Sequence, residues 1–458
     1  MKAYDLKPTH DNLIKTFAED AIGRNIDVFR FVTMLNAIQG SCAIALDGNW
    51  GSGKTFFVKQ TKMVLDAHNE NIRAMNPDDK TKIINTCSNF FENHSSELQP
   101  QVCVYYDAWE NDNDDDPVLS LVYTILNNVD TDFSFADVSY IKVAASIMEI
   151  FSGRNWTQLI ENLKSDSPLN SLKQSKGIEQ LVQDFLKSLL PERGNRLVVF
   201  IDELDRCKPS YAVRLLERIK HYFTNDQITF VFSINTNELQ HTIRKYYGND
   251  FDGSRYLDRF FDLRVTLPPA DLQRFYQNLN FNDSYYTFDI VCGAFIRAYH
   301  LELREIAKYI RLSKIAAYEP THNDSHQFNF WEGKAKQFSL LYIIPIMIGL
   351  KVSNAKKYAD FIEGRDYKPL VEVSNALDLR FFAELLNQDE TYDENATTKK
   401  LVTVEEKLKE MYEALFVINY GMEKHYIDIG NMRFGEKITE FLLRTSGLLS
   451  EYTKLDID

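Results

Sequence analysis

The sequence predicts an α/β fold, in which helices cover both faces of a sheet of mainly parallel strands. Short apolar runs repeatedly end in a charged or polar residue, which is typical of strands buried on both faces of a parallel sheet. A glycine-rich loop joins the first run to a helical pattern, and beyond residue 269 the pattern is almost entirely helical. The predicted strands are Cys42–Leu46, Val102–Tyr106, Arg196–Ile201 and Ile228–Asn235.

These patterns divide the chain into two domains. Residues 1–269 form the predicted three-layer core, with a helical insert at about residues 118–190. Within the core, residues 10–40 and 56–98 are predicted to be helical, with a polar break near Asn76-Pro77. Residues 270–458 form an all-α C-terminal region, which we expect to act as a lid. A chain of 458 residues is long enough for both domains.

The loop that follows the first strand has the spacing of a phosphate-binding P-loop. Gly48 and Gly53 are separated by four residues and are followed by Lys54 and Thr55. Glycines let the backbone curl so that several N–H groups face phosphate oxygens, and the next helix adds the positive end of its dipole. Lys54 is expected to reach the β- and γ-phosphates, and the Thr55 hydroxyl to ligate Mg²⁺. The residues predicted here to bind nucleotide are Gly48, Asn49, Trp50, Gly51, Ser52, Gly53, Lys54, Thr55 and Phe56.

A second acidic element follows the strand Arg196–Ile201. Asp202 lies at the carboxyl end of that strand, where a Mg²⁺-bound carboxylate belongs, and Glu203 follows it directly. Glu203 is the natural general base to polarise an attacking water. An acidic turn after a core strand would look the same in isolation. The P-loop elsewhere in the chain favours the catalytic interpretation.

The two acidic motifs and their order resemble the KAP family of P-loop NTPases, relatives of the STAND and AAA+ ATPases. The resemblance rests on Asp202-Glu-Leu-Asp-Arg-Cys207 and on Asp107-Ala-Trp-Glu110 after the second strand, and it covers roughly residues 10 to 320. It implies a P-loop NTPase fold and an ATPase that uses ATP and Mg²⁺. Bacterial relatives often belong to anti-phage defence systems, beside separate effector proteins.

The resemblance also assigns roles to polar residues farther along the chain. Asn235 corresponds to a sensor that contacts the γ-phosphate or the lytic water, and we favour this role; the alternative is an Asn that caps the next helix. Arg259, or Arg255, corresponds to an arginine finger acting on a neighbouring subunit. The alternative for these arginines is a structural ion pair with Asp258 or Asp262.

Two further arginines complete the predicted site. Arg24, after Gly23, resembles the segment that lies near the adenine in this group, and a glycine-terminated helix end is the alternative. Arg304 opens a helix beyond the sheet, where relatives keep a sensor-2-like arginine. An ordinary surface arginine would produce the same pattern.

Composition indicates a cytoplasmic protein. The formal net charge of −14 makes nucleic acid an unlikely partner. Five scattered cysteines without a Cys/His cluster favour reduced thiols and no zinc. The apolar stretches Val138–Phe151 and Phe338–Leu350 are interrupted and short, so stable membrane insertion is not expected.

The sequence therefore predicts an ATPase that uses ATP·Mg²⁺ as a conformational or assembly switch. Its expected partners are further copies of the chain, a separate effector protein, or both. Two alternatives stay open: a nucleotide-locked scaffold with little turnover and a small-molecule phosphotransferase. A GTPase is disfavoured because no Asn-Lys-x-Asp signature follows the Asn235 strand.

Overall fold

The computed structural model divides the chain into two compact units, Asp5–Phe275 and Tyr276–Asp458. The division falls a few residues after the predicted boundary at residue 269. The residues described by the structure are 7–91, 98–114, 116–132, 178–191, 193–223, 225–322, 333–377, 404–421, 425–430 and 432–455. The apolar stretch Val138–Phe151 and most of the predicted insert lie outside them.

The first unit contains a five-stranded, all-parallel sheet, as the sequence predicted. Its strands are β1 (Cys42–Asp47), β2 (Gln101–Asp107), β3 (Arg196–Asp202), β4 (Ile228–Ile234) and β5 (Leu263–Thr266). Their spatial order is β2-β3-β4-β1-β5, so β4 separates β1 from β3. Side chains of β1, β3 and β4 are almost entirely buried, which explains why these runs carry no charge in their interiors.

Helices cover both faces of this sheet. The described helices of the first unit are α1 (His10–Ala18), α2 (Asn25–Ala37), α3 (Lys54–His68), α4 (Pro77–Phe91), α5 (Pro117–Asp132), α6 (Ile178–Leu189), α7 (Pro209–Tyr222), α8 (Thr236–Tyr247) and α9 (Gly253–Leu257). Helices α1 to α4 share one apolar core with alternate residues of the sheet, such as Ile44 and Phe200. Helices α5 to α9 share the other core with the opposite residues, such as Ala45 and Val199. The three-layer prediction is confirmed.

The carboxyl ends of four strands meet in one row. Asp107 pairs in register with Asp202, Asp202 with Ser233, and Asp47 with Ile234. The connections from β1 and β3 therefore emerge at the same edge of the sheet, on either side of β4. Crevices at such points, where the strand order reverses, are the usual ligand sites of open α/β sheets.

The second unit is helical, as predicted, and carries one short hairpin that the sequence did not predict. Its described helices are α11 (Thr287–Tyr299), α12 (Leu303–His322), α13 (Lys334–Phe338), α14 (Ile344–Ser353), α15 (Ala355–Ile362), α16 (Lys368–Asn375), α17 (Val404–Phe416) and α18 (Glu436–Ser446), and α10 (Leu272–Asn278) contains the division between the units. The strands β6 (Ile427–Ile429) and β7 (Met432–Phe434) pair antiparallel.

One helical run in the described residues, Lys334–Ser353, is long and apolar enough to cross a membrane by length and composition. It is longer than the predicted Phe338–Leu350, because a π-helical turn, Ser339–Ile343, joins α13 to α14. About 72% of its apolar window is buried within the protein. It packs against α11, α12 and α18, which is the arrangement of a core helix.

All five cysteines are free and buried. Burial raises the pKa of the Cys87 thiol to about 12 and also raises those of Cys207 and Cys292. A thiol with a raised pKa is largely protonated at neutral pH and reacts slowly.

A tight turn between α1 and α2 requires glycine. Gly23 has φ of 65°, and a Cβ at this position would lie 2.5 Å from Cβ of Asp271. Asp271 is fixed there because its backbone N–H donates to the carbonyl oxygen of Ile22 at 3.0 Å. Gly40 has a similar φ of 84°, but the nearest atom to its Cβ position is 3.8 Å away.

We predict that Gly23→Ala destabilises the protein more than Gly40→Ala does. Both substitutions place a Cβ in the left-handed region, at a cost of about 1–2 kcal/mol. Gly23→Ala adds the clash with Asp271, and overpacking typically costs about 1–3 kcal/mol more. Chemical denaturation of the two variants measures the difference. Equal losses in the free energy of unfolding would show that Asp271 moves aside at no measurable energetic cost.

Candidate functional site

The P-loop lies between β1 and α3, at the sheet edge where the strands end. Gly51 and Gly53 have φ of 85° and 95°, a conformation that glycine adopts without strain. The backbone N–H of Gly48 donates to Ile234 O at 3.1 Å, which fixes the start of the loop to β4. Phe56, in the first turn of α3, packs partly buried against the core below.

Lys54 is folded back onto this loop. Its Nζ donates to the carbonyl oxygen of Gly48 at 2.6 Å and to that of Asn49 at 3.1 Å. Burial lowers the pKa of Lys54, and the carboxylates of Asp205, Asp202 and Glu203 act in the opposite direction. The Lys54 ammonium group therefore lies inside the curled loop, where most of the nearby charges are carboxylates.

Thr55 and Asp202 meet across β4. The Thr55 hydroxyl donates to Oδ2 of Asp202 at 2.7 Å, and Tyr105 donates to the same oxygen at 3.0 Å. Burial, followed by the Asp202 charge, raises the pKa of Tyr105, so its phenol stays protonated as a donor. The structure thus brings together the two residues that the sequence assigned to a metal ion.

Glu203 follows Asp202 in the left-handed conformation, with φ of 62°. Its carboxylate forms an ion pair with Nε of Arg206, although Oε2 is buried and accepts no aligned hydrogen bond from the described residues. Burial raises the pKa of Glu203 to about 7, while the Arg206 charge opposes that rise. A carboxylate with a pKa near neutrality has the proton affinity that general-base chemistry needs.

Two exposed tryptophans flank Arg206. The centre of its guanidinium lies 5.8 Å from the ring centroid of Trp50 and 5.5 Å from that of Trp109. Trp50 belongs to the P-loop, and its Nε1 donates to Oδ2 of Asp205 at 2.5 Å. Asp205 is buried, which raises its pKa, while the hydrogen bond from Trp50 lowers it.

Asn235 serves as the N-cap of α8. Its side-chain oxygen accepts from the backbone N–H groups of Asn237 at 3.1 Å and Glu238 at 3.3 Å. The capping interpretation is therefore observed. Because Asn235 also lies at the end of β4, between β1 and β3, its role as a sensor stays a prediction.

Arg24 reaches the P-loop from the start of α2. The side chain is buried, and its Nη1 donates to the carbonyl oxygen of Ser52 at 2.7 Å. Gly23 does not end a helix, because α1 stops at Ala18 and the glycine lies in the turn before α2. Contact with a base stays a prediction, whereas contact with the loop backbone is present.

Arg255 belongs to α9, and Arg259 lies three residues before a segment at the opposite edge of the sheet. Asp262, which follows them, exchanges hydrogen bonds of 2.8 Å with the backbone of Ala43 at the amino end of β1. That position is about 16 Å along the strand from the P-loop, at about 3.3 Å per residue. Within the described residues, neither arginine forms an ion pair with Asp258 or Asp262. Asp258 pairs with Arg264 instead.

Arg304 lies in the first turn of α12 in the second unit, and its side chain is exposed. Within the described residues it has no hydrogen-bond or ion-pair partner. Its contact with the γ-phosphate stays a prediction.

An acidic segment, residues 111–116, joins β2 to α5, and its last residue, Asp116, has a structural role. Oδ1 of Asp116 accepts from the backbone N–H of Val118 at 2.9 Å, and its Oδ2 pairs with Arg218 at 2.7 Å. Asp116 therefore caps α5.

Sequence reasoning missed four residues that the structure places in the site: Tyr105, Trp109, Asp205 and Arg206. Three of them stand inside the two acidic motifs that were noticed, so the motifs contained the signal. Tyr105 gave no such signal in the sequence, because its phenol reaches Asp202 only through the pairing of β2 with β3.

Two comparisons with individual proteins are partial. An uncharacterized protein of Methanocaldococcus jannaschii is 31% identical over 90 residues, which are 19% of this chain and 44% of that relative. The chain thus spans less than half the length of the relative. The Aeropyrum pernix ORC1 protein, solved in complex with DNA, is 12% identical over 92% of each chain, with a TM-score of 0.33. That superposition is too loose to relate individual residues.

The comparison with protein families is decisive for the first unit. The sequence pattern of the KAP family P-loop domain matches residues 29–286, which is more than half of the chain. The match is narrower than the range of 10 to 320 suggested by the motifs, and Arg24 and Arg304 lie outside it. It contains the P-loop, the Asp107 turn, the Asp202 strand and Asn235. The chain belongs to the KAP family of P-loop NTPases.

Proposed function

We propose that this protein binds ATP with Mg²⁺ and hydrolyses it, and that the cycle serves as a conformational or assembly switch. The observation that carries the proposal is the 2.7 Å hydrogen bond between Thr55 and Asp202. It joins a phosphate-binding loop to the acidic strand end at which a nucleotide-bound cation would be held. Glu203, the candidate base, is the next residue.

The donors present fit a hard divalent cation. The Thr55 hydroxyl and the Asp202 carboxylate supply oxygen atoms, which Mg²⁺ prefers, and both are part of the sheet edge beside the P-loop. Tyr105 holds the same carboxylate oxygen in place from β2. Bound there, Mg²⁺ would supply positive charge that offsets the negative charge of the nucleotide's phosphates.

The chain's own residues would perform the remaining tasks. Lys54 exchanges two neutral carbonyl acceptors for phosphate oxygens, which form stronger charge-assisted hydrogen bonds. Glu203 accepts a proton from the attacking water. The backbone N–H groups of the curled loop and the start of α3 bind the phosphates.

The location of Arg259 supports assembly as part of the cycle. An arginine at the amino edge of the sheet cannot reach a nucleotide held at the carboxyl edge of the same sheet. It is exposed and available to the nucleotide of a neighbouring copy. A role in anti-phage defence, beside a separate effector, is proposed on the family resemblance stated above.

Lys54→Ala should abolish nucleotide binding, and Glu203→Gln should retain binding while turnover falls. Loss of a general base typically lowers rate by about 10²–10⁴-fold. Steady-state ATP hydrolysis and equilibrium binding of ATP, with mass photometry on the same samples, measure both effects. Lys15→Ala and Glu70→Gln, at exposed positions on α1 and after α3, are the matched controls.

Wild-type turnover in Glu203→Gln would refute the assignment of the base. Tight ATP binding and assembly without turnover in the unmodified protein would instead support the nucleotide-locked scaffold. Turnover only with an added small-molecule acceptor would support the phosphotransferase.

An Arg259→Ala variant should lose activity only in the assembled protein, by up to about 10³-fold for an arginine finger. Mixing Arg259→Ala with Lys54→Ala subunits should then restore about a quarter of wild-type turnover, since one interface in four pairs an intact P-loop with an intact finger. Arg30→Ala, on the exposed face of α2, is the control. Failure of the mixture to regain activity would exclude a finger that acts in trans.

A further inference from the structure

The Arg206 side chain joins three separate parts of the site. Nε pairs with Glu203, and the guanidinium lies over the rings of both Trp50 and Trp109, at the cation–π distances given above. The side chain is only 24% exposed, although it lies in a surface turn. A guanidinium over an aromatic face forms a cation–π contact, and an ammonium group does not reproduce its planar shape.

Backbone hydrogen bonds hold Trp109 in place beside Arg206. The carboxylate of Asp107 accepts from the backbone N–H groups of Trp109 at 3.1 Å and Glu110 at 3.0 Å. Ala108 lies between Asp107 and Trp109 in the sequence, and its backbone N–H donates to the carbonyl oxygen of Asp202 at 3.0 Å. The turn that carries Trp109 is therefore hydrogen-bonded to the end of β3.

Trp50 is the tryptophan that nucleotide would reach first. It stands in the middle of the P-loop, beside Gly51, and 44% of the residue is exposed. Its indole N–H is anchored on Asp205, one residue before Arg206. In the proposed function, phosphate would bind to the loop backbone on both sides of Trp50, so a change in the loop would be passed to the contact between Trp50 and Arg206.

Glu203 is held by the same side chain. Its carboxylate is ion-paired with Nε of Arg206, and the two side chains are only 16% and 24% exposed. The pair therefore restricts the directions in which the carboxylate can point.

We propose that Arg206 is a positioning residue, which holds Glu203 oriented as the base and, through its cation–π contacts with Trp50 and Trp109, links that orientation to the phosphate-binding loop. The role of Arg206 in orienting Glu203 as the base rests on the proposed ATP hydrolysis. The link between Arg206 and Trp50 does not depend on turnover.

Arg206→Ala should lower kcat by about 10- to 100-fold, the usual effect of removing a group that orients a reacting residue. The Kd for ATP should change little, because among the described residues the contact of Arg206 with the predicted phosphate-binding loop is the one with the Trp50 ring. Arg206→Lys keeps the charge without the planar guanidinium and should recover part of the loss. Arg30→Ala is the matched control. Faster turnover in Arg206→Ala would overturn the proposal, because the arginine would then restrain the base.

A double-mutant cycle separates action through Glu203 from a general structural role. In a Glu203→Gln background, Arg206→Ala should cause little further loss of kcat, since the group that it orients is already gone. Additive losses would show that Arg206 acts independently of Glu203 and would refute the positioning role.

Tryptophan fluorescence tests the link without turnover. The emission of Trp50, isolated as the difference between the wild type and Trp50→Phe, should change when ATP or ADP is added with Mg²⁺. The same difference in an Arg206→Ala background should be altered before nucleotide is added, and its nucleotide response should be reduced. An unchanged response would refute the link even if the protein hydrolyses ATP. A lost response in a protein without turnover would support the link while the proposed hydrolysis fails.

Discussion

The hydrogen bond from Thr55 to Asp202 ties together two chain segments that the sheet holds apart. Because β4 lies between β1 and β3, their ends are separated by two strand spacings, about 9.6 Å at about 4.8 Å each. The P-loop spans this distance by curling over the end of β4, to which Gly48 is hydrogen-bonded. The first turn of α3 then places Thr55 over the acidic strand. The parallel register, which ends the strands in one row, is what makes the crossing possible.

Much of this arrangement could be predicted because buried parallel strands leave a direct trace in sequence. Interiors without charge, followed at once by Asp202 or Asn235, mark both a strand and the edge at which it ends. The role of an individual side chain was harder to predict where the same residue type can serve either of two functions. The amide of Asn235 caps α8 with its oxygen, and the same residue type at the same place could serve as a sensor. Exposed arginines such as Arg259 leave no packing signal, so sequence alone could not choose between a finger and an ion pair.

The remaining features depend on contacts between distant segments. The Trp50, Trp109 and Arg206 side chains meet only because β2 and β3 are neighbours and the P-loop reaches across β4. In the second unit, Ser339, Pro345 and Gly349 suggested an interrupted apolar stretch. Pro345 instead falls in the first turn of α14, where a missing N–H is tolerated, and the π-helical turn before it continues the helix. The strands β6 and β7 have three residues each, too few for an alternating pattern to be visible.

The buried thiols have a practical consequence for following the cycle. Since all five native cysteines are free but enclosed, and burial suppresses the thiolate form of Cys87, Cys207 and Cys292, maleimide reagents would modify an introduced surface cysteine well ahead of them. A pair of such cysteines, one on the exposed face of α2 and one on α12, can therefore carry spectroscopic labels in the otherwise natural chain. The separation of those labels, recorded with and without nucleotide, would report directly on movement between the two units.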